Sequence, residues 1–230
     1  MKQIAFVQTP APDLESSKRF YLSLGFKVLE HPSRTLVNDG RLTIEINDHK
    51  FARTGLKLPA ADWKAVAEKL RSITAIRETD EGFLAADPNG VRVFLIHDDT
   101  VEIPQASQPF GKLGNFVGVS IETVDLNRSV KFWEALGYSV SHGGADQGWA
   151  GLTSGNEIDV NLMAAETCPH LCPNPGLTYF NAGKNLEVIE NIRHAKIPIT
   201  QEITCFSKDG SVDNVIIHDP GMTGFFIFND

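Results

Sequence analysis

The chain carries one stretch twice, first as Asp13-Leu14-Glu15-Ser16-Ser17-Lys18-Arg19-Phe20-Tyr21-Leu22-Ser23-Leu24-Gly25-Phe26-Lys27-Val28 and again as Asp125-Leu126-Asn127-Arg128-Ser129-Val130-Lys131-Phe132-Trp133-Glu134-Ala135-Leu136-Gly137-Tyr138-Ser139-Val140. Asp, Leu, Ser, Phe, Leu, Gly and Val recur in register, and two further positions are aromatic in both copies. An internal repeat of this kind predicts a fold assembled from repeated structural units.

Each copy predicts a short helix that leads into a strand. Asp13 and Asp125 are of the residue type that caps a helix by accepting a hydrogen bond from a first-turn N–H. Apolar residues three and four positions apart then give each helix one buried face. Gly25 and Gly137 supply the left-handed conformation that ends a helix without a steric clash.

Composition restricts the class of protein. The chain has 230 residues, of which 42% are hydrophobic and 22% are charged, as in soluble globular proteins. The net charge of −8 disfavours a nucleic-acid partner, because phosphate binding needs a basic surface. No apolar run is long enough to cross a bilayer, the N-terminus does not resemble a signal peptide, and three cysteines do not make a disulfide framework. We therefore expect a cytoplasmic protein with no membrane partner.

The remaining sequence predicts four β-α-β-β-β units. The first unit runs from Ile4 to Asn47 and contains the tight turn Asn38-Asp39-Gly40. The second runs from Ala52 to Ile96, with a helix capped by Asp62. Prolines, Gln and Ser without periodicity make residues 100–114 the predicted linker, and the predicted domains are residues 1–104 and 112–230.

The second half repeats this arrangement. One of its strands is predicted at Asn156–Met163. The fourth helix is predicted from Asn185 to about Ala195, with Leu186, Ile189 and Ile192 facing inward. Three short strands then close the chain, and the last two are joined by the Asp-Pro-Gly turn at Asp219.

The paired units, the helix pattern D-L-x-x-S-x-x-F-[Y/W]-x-x-L-G-[F/Y] and the Asp-Pro turns before the last strands resemble the vicinal oxygen chelate superfamily. That superfamily includes glyoxalase I, bleomycin-resistance proteins and extradiol dioxygenases. The resemblance covers nearly the whole chain and implies an α+β fold. In this fold, four βαβββ units pair into two glyoxalase-like domains, each with a curled, mainly antiparallel sheet. We call the concave face of each sheet its cup.

The resemblance also implies where a metal would lie. In the family, four inward side chains of each cup hold a divalent ion. The matching positions are Phe6, Glu45, Gly55 and Phe94 in the first domain, and Gly118, Asp159, Thr178 and Phe226 in the second. Phe has no lone pair to donate and Gly has no side chain, so one carboxylate in each cup remains. We therefore expect no metal at these positions and no cofactor.

Strand alternation predicts which side chains line each cup. The first cup is predicted to bind a ligand with Phe6, Gln8, Glu45, Arg53, Arg92 and Phe94, with Lys57 on the same face. The second is predicted to use Glu157, Asp159, Phe180, Phe226 and Phe228, and Trp149 is a further residue that can stack on a ligand. Carboxylates beside aromatic rings suit an organic cation. The alternative is that the phenylalanines simply fill both cups.

Two functions remain open. The preferred one is a metal-independent protein that binds or sequesters a small molecule, as bleomycin-resistance proteins do. The other is an enzyme of the superfamily (a lyase, isomerase or dioxygenase type) that uses Glu45 or Asp159 as a metal ligand or as a general base.

One short motif is not part of either of these two functions. Cys168, His170 and Cys172 in Cys168-Pro169-His170-Leu171-Cys172 either begin a zinc site or form a plain loop, and the absence of an obvious fourth ligand favours the loop. A homodimer is compatible with the sequence.

Overall fold

A computed structural model describes residues 4–98, 103, 106, 108–155 and 158–229. Within these ranges the chain forms two eight-stranded sheets. The first sheet and its helices comprise β1 (Phe6–Pro10), α1 (Leu14–Ser23), β2 (Lys27–Leu29), β3 (Leu36–Asn38), β4 (Thr43–Asn47), β5 (Gly55–Ala60), α2 (Lys64–Leu70), β6 (Arg77–Thr79), β7 (Gly82–Ala86) and β8 (Arg92–His97). The predicted order of elements is confirmed in this half.

The second half repeats the order, with one added 3-10 turn at Ala145–Gln147. Its elements are β9 (Phe116–Thr123), α3 (Leu126–Ala135), β10 (Ser139–Gly144), β11 (Trp149–Thr153), β12 (Val160–Ala164), β13 (Gly176–Phe180), α4 (Asn185–His194), β14 (Ile199–Ile203), β15 (Asn214–His218) and β16 (Gly224–Phe228). None of the helices in the described ranges is both long and apolar enough to cross a membrane.

The two sheets have the same topology. Their strand orders are β2-β3-β4-β1-β5-β8-β7-β6 and β10-β11-β12-β9-β13-β16-β15-β14. The central pairs, β1 with β5 and β9 with β13, are antiparallel and join the two units of each sheet. Each first strand also pairs in parallel with the last strand of its own unit, as β1 does with β4. The predicted α+β fold of paired units with mainly antiparallel sheets is confirmed.

The repeated helix forms as its sequence predicts. The Asp13 carboxylate accepts a hydrogen bond from the Ser16 N–H at 2.6 Å, and Asp125 accepts one from Arg128 at 3.0 Å. Gly25 and Gly137 follow the helices with φ of 85° and 93°, a conformation that costs other residues steric strain. The caps therefore set where both helices begin, and these glycines set the direction in which the chain leaves them.

Three local predictions were wrong. The N-cap residue of α2 is Trp63, not Asp62, although the Asp62 carboxylate accepts a hydrogen bond at 2.8 Å from the N–H of Lys64, the first residue of the helix. Leu186 is exposed, because Asn185, Ile189 and Ile192 are the α4 residues that lie on the sheet side. Strand β12 begins only at Val160, after Asp159, although the Asp159 carbonyl still accepts a hydrogen bond from the Val119 N–H.

One apolar core runs through both domains. Tyr21 of α1 contacts Phe225 of β16, with 6.2 Å between ring centroids, and Phe225 in turn contacts Tyr179. The first sheet ends at His97 and the second begins at Phe116. The predicted linker between them lies partly outside the described residues, so its exact boundaries stay a prediction.

Candidate functional site

The floor of the first cup is apolar and filled. Phe6 is completely buried and packs with Leu36, Ile96 and Ile103, and Phe94 lies against this group. Phe6 and Phe94 stand where the family resemblance places metal ligands. Their rings therefore occupy part of the volume that a ligand or an ion would need.

A network of ion pairs covers this apolar floor. The Lys57 ammonium lies 2.8 Å from the Glu45 carboxylate and 3.1 Å from that of Glu81. Arg34 lies 3.1 Å from Glu45 and 2.6 Å from Glu81, and 3.8 Å from Asp98. Lys57 is only 1% exposed, and a charge buried this deeply requires such partners. Although burial by itself raises it, the pKa of Glu81 is lowered overall by Lys57 and Arg34.

Predicted residues of the first cup divide into inner and outer groups. Gln8 and Glu45 are buried together, with the Asn47 amide donating to Gln8 at 2.9 Å and to Glu45 at 3.5 Å. Arg53 and Arg92 are exposed, and the Arg53 guanidinium donates to the Ala52 carbonyl at 2.7 Å. The depression above the ion pairs, about 420 Å³, is lined by Ser33, Arg34, Thr35, Glu45, Ile46, Asn47, Asp48, His49, Lys57 and Glu81.

Sequence reasoning missed Arg34 and Glu81. Arg34 lies in the loop before β3, and Glu81 lies in the turn between β6 and β7. Strand alternation assigns faces only to residues within strands, so it carried no signal for Glu81. The sequence predicts a strand from Arg34 to Asn38, but none of its residues was assigned to the cup.

The second cup contains an open cavity of about 370 Å³. Its lining residues are Ser141, His142, Trp149, Gly151, Leu152, Thr153, Asp159 and Asn161. The Asp159 carboxylate is exposed, and it makes no ion pair with any residue that the structure describes. Trp149 is 45% exposed and presents an aromatic ring in the same cavity. Glu157, the other predicted carboxylate, lies outside the described residues.

The predicted phenylalanines form a separate aromatic row on β13 and β16. Phe226 and Phe228 stack with centroids 5.3 Å apart, and Phe180 lies 5.0 Å from Phe228. The His170 ring lies 4.7 Å from Phe226. All three phenylalanines are half-buried, but none lines the cavity that holds Asp159. The structure therefore brings Asp159 together with Trp149 and not with Phe226.

The donor sets at the family positions do not fit a divalent ion. In the first cup the one carboxylate, Glu45, is already paired with the Lys57 ammonium. In the second cup a side chain at Gly118 would begin 2.5 Å from the Asp159 carbonyl, so no donor fits there. The Thr178 hydroxyl is engaged with Ser120 at 2.7 Å. Divalent ions need several oxygen or nitrogen donors around one point, and neither set offers them.

No family model and no curated protein matches the sequence. Solved structures do match its fold. Homoprotocatechuate 2,3-dioxygenase from Arthrobacter globiformis aligns with a TM-score of 0.61 at 15% identity, over 99% of this chain and 79% of that one. The Mn(II)-bound glyoxalase from Novosphingobium aromaticivorans aligns with a TM-score of 0.60 at 13% identity, over 99% and 82%.

A third similar structure is 2,2',3-trihydroxybiphenyl 1,2-dioxygenase from Sphingomonas wittichii strain RW1. Its TM-score is 0.56 at 14% identity, over 100% of this chain and 90% of that one. At sequence identities this low, structural similarity shows a shared fold and not a shared activity. The chain has the tandem two-domain fold of the vicinal oxygen chelate superfamily, the fold of these dioxygenases and of this glyoxalase.

Proposed function

We propose that the chain is a metal-independent small-molecule binding protein, and that the cavity of the second cup takes an organic cation with an aromatic or apolar body. The observation that carries this proposal is that the Trp149 ring and the exposed Asp159 carboxylate, which makes no ion pair within the described residues, line one cavity of about 370 Å³. A volume of this size falls in the range of small-molecule sites. The role resembles that of bleomycin-resistance proteins, which use a cup for a cationic drug.

The chemistry of the cavity selects the ligand. A carboxylate favours a positive charge, and the face of Trp is the aromatic surface that attracts a cation most strongly. Asn161 and Ser141 add polar groups that can orient the ligand. The ligand contacts predicted for Phe180, Phe226 and Phe228 stay a prediction, because these residues do not line the cavity.

The first cup supports this assignment by contrast. Its one inner carboxylate, Glu45, is held by the Lys57 ammonium and by Arg34, and its apolar floor is filled by Phe6. A carboxylate that already holds two cations has few free lone pairs left for a cationic ligand or for a metal ion. The contacts predicted for Gln8, Arg53, Arg92 and Phe94 stay predictions.

The proposal is tested by comparing ligands that differ in charge. Benzyltrimethylammonium and benzyl alcohol can be titrated while Trp fluorescence is followed. Asp159→Asn should weaken the cation by about fivefold, the equivalent of about 1 kcal/mol for an exposed ion pair, and leave the neutral ligand unchanged. Trp149→Ala should weaken both ligands, and calorimetry replaces fluorescence for that variant.

Asp146→Asn serves as the matched control, because Asp146 lies in the nearby 3-10 turn and does not line the cavity. The proposal fails if no cation from a broader library binds below millimolar concentration, or if Asp159→Asn affects cationic and neutral ligands equally. Turnover of a catechol or of a glyoxalase substrate that is lost in Asp159→Asn would favour the enzyme instead.

A further inference from the structure

Three side chains of types that can bind a metal meet at the rim of the second cup. A carboxylate oxygen of Glu122 and the Sγ atoms of Cys168 and Cys172 all lie within 4.8 Å of one another. All three residues are half-buried, and both thiols are free. Glu122 is distant from the two cysteines in sequence, so the fold brings this cluster together.

The loop that carries the cysteines is held against strand β9. At its start the Ala165 N–H donates to the Thr123 carbonyl at 2.9 Å, and near its end the Asn174 amide donates to the Glu122 carbonyl at 3.3 Å. Between these points the Leu171 N–H donates to the Gln201 side chain at 3.0 Å. The Cys168 thiol also touches the Met163 sulfur at 3.9 Å, on the strand next to β9. The two thiols are thereby positioned over the Glu122 carboxylate.

We propose that Glu122, Cys168 and Cys172 form a binding site for Zn²⁺, with the fourth position open to water. Two thiolates and one carboxylate are a ligand set that zinc accepts in tetrahedral geometry. Bond lengths of about 2.3 Å to sulfur imply sulfur atoms roughly 3.8 Å apart in such a site. Because the ligand atoms all lie within 4.8 Å of one another, the two sulfur atoms are at most about 1 Å further apart than this spacing.

This site differs from the family's metal position. Glu122 lies four residues further along β9 than Gly118, at the end of the strand next to the cysteine loop. It shares no residue with the Asp159 cavity, so it stands independently of the proposed cation binding. Burial is the main cause that raises the pKa of both thiols, and it raises that of Cys172 to about 12. The ion must therefore displace protons from the thiols when it binds.

The site has a structural consequence. An ion held by one strand residue and two loop residues would fasten the loop to β9 and close the rim of the cup on that side. Because the ion binds the folded chain and not an equivalent arrangement in the unfolded chain, it stabilises the fold in proportion to the logarithm of its concentration over Kd.

The test is a metal titration of reduced, metal-free full-length protein. Co²⁺ should bind in one equivalent with thiolate-to-cobalt charge-transfer absorption in the near ultraviolet, and Zn²⁺ should abolish that absorption by displacement. Cys168→Ser and Cys172→Ser should lose the absorption. Glu122→Gln should keep the absorption but bind Co²⁺ at least roughly tenfold more weakly. Changing a residue that only contacts a metal ligand already has an effect of this size.

Cys205→Ser is the matched control, because it removes the exposed thiol that follows β14 and should keep the absorption. Alkylation followed by mass spectrometry tests the wild-type chain without any variant. Zn²⁺ should protect Cys168 and Cys172 while Cys205 reacts. The proposal is overturned if the reduced thiols give no charge-transfer band, if the band disappears equally in Cys205→Ser, or if all three cysteines stay reactive with Zn²⁺ present.

Discussion

Lys57 places an ammonium group 2.8 Å from the Glu45 carboxylate inside the first cup. With its side chain only 2% exposed, Lys57 is among the largest fully buried side chains in the described part of the protein. Arg34 and Glu81 complete the network, and Glu81 lies at its more exposed side. The positive charge that faces Glu45 is thus built into the chain.

Lys57→Met should lower the free energy of unfolding by about 3 kcal/mol, because it leaves Glu45 buried with one cation fewer. The double variant Lys57→Met/Glu45→Leu should recover part of that loss, because neither charge then remains unpaired. Urea denaturation measures both. Lys18→Met, which breaks the exposed Lys18–Glu15 pair, should cost less than about 1 kcal/mol. A loss in Lys57→Met no larger than in Lys18→Met would contradict the role of the network.

Single residues were predictable where strand alternation applied. Alternation correctly placed Gln8, Glu45 and Lys57 on one face, because a pleated strand fixes the side of each side chain. It could not show that Lys57 pairs with Glu45, or that Arg34 joins them, because these contacts depend on how the sheet curls and on a loop. The same limit applies to Asp159, which lies with Trp149 and not with the phenylalanines of its predicted face.

Helices α1 and α3 show how the repeat acts at the level of an element. In each, a capping Asp accepts a hydrogen bond from the third residue after it, at 2.6 Å and 3.0 Å. Helix α3 then buries Phe132 and Trp133 against the second sheet. The cap fixes the helix start, and so it also fixes which residues face the core.

Asp125→Ala should destabilise the protein by about 1 kcal/mol, because the Arg128 N–H loses its acceptor at the helix N-terminus. Thermal unfolding followed by circular dichroism measures this loss. Asn127→Ala changes an exposed residue of the first turn and should be nearly neutral. Equal stability of the Asp125 and Asn127 variants would show that the cap contributes nothing.

Elements were largely predictable because their signals are local. Caps, tight turns and alternating strands act within a few residues, so the β-α-β-β-β order of each unit is as predicted. Asp62 was assigned wrongly because a residue of a capping type can lie one position before the actual N-cap. Leu186 was assigned wrongly because an apolar residue can lie one position away from the buried face of its helix. Tertiary packing settles such positions, and the sequence alone does not show it.

Buried hydrogen bonds join the two domains across the whole molecule. The Tyr21 and Thr9 hydroxyls of the first domain both donate to the Asp219 carboxylate of the second at 2.7 Å. In the opposite direction, the Tyr179 hydroxyl of the second domain donates to Asp39 of the first at 2.7 Å. Burial raises the pKa of both aspartates from their ordinary value of 3.8. These pairs lie within the continuous apolar core.

Tyr21→Phe should cost about 1 to 3 kcal/mol of stability, because the buried Asp219 carboxylate loses one of its hydrogen-bond donors. The loss should appear in a single unfolding transition, because the core is shared by both domains. Differential scanning calorimetry reveals the number of transitions. Two separate transitions, with only one of them shifted, would contradict the view of one cooperative core.

The Asp219 carboxylate should also make the stability of the protein depend on pH. Because the pKa of Asp219 is raised in the folded protein, the folded chain holds this proton more tightly than the unfolded chain does. Its contribution to stability is therefore complete below the unfolded pKa and is lost as the pH rises through the folded pKa. Relative to Asp219→Asn, the wild-type protein should lose stability as the pH rises above about 4, the ordinary pKa of an aspartate. Urea titrations at several pH values measure the difference, and a constant difference would refute this effect.

The shared core could not be foreseen from the sequence. The repeat predicted two similar domains, but which side chains meet between them depends on how the domains pack. Tyr21 and Trp133 occupy equivalent positions in the repeat, and only the assembled structure shows Tyr21 bonded to Asp219 of the other domain.

The central claim, binding without a metal, is tested most directly by one titration. Protein treated with a strong chelator is titrated with a cation that binds the untreated protein, and the titration is repeated after addition of Mn²⁺ or Fe²⁺. We predict the same Kd in all conditions, because the Asp159 and Trp149 cavity supplies the contacts by itself. Binding that disappears with the chelator and returns with Mn²⁺ or Fe²⁺ would contradict the account.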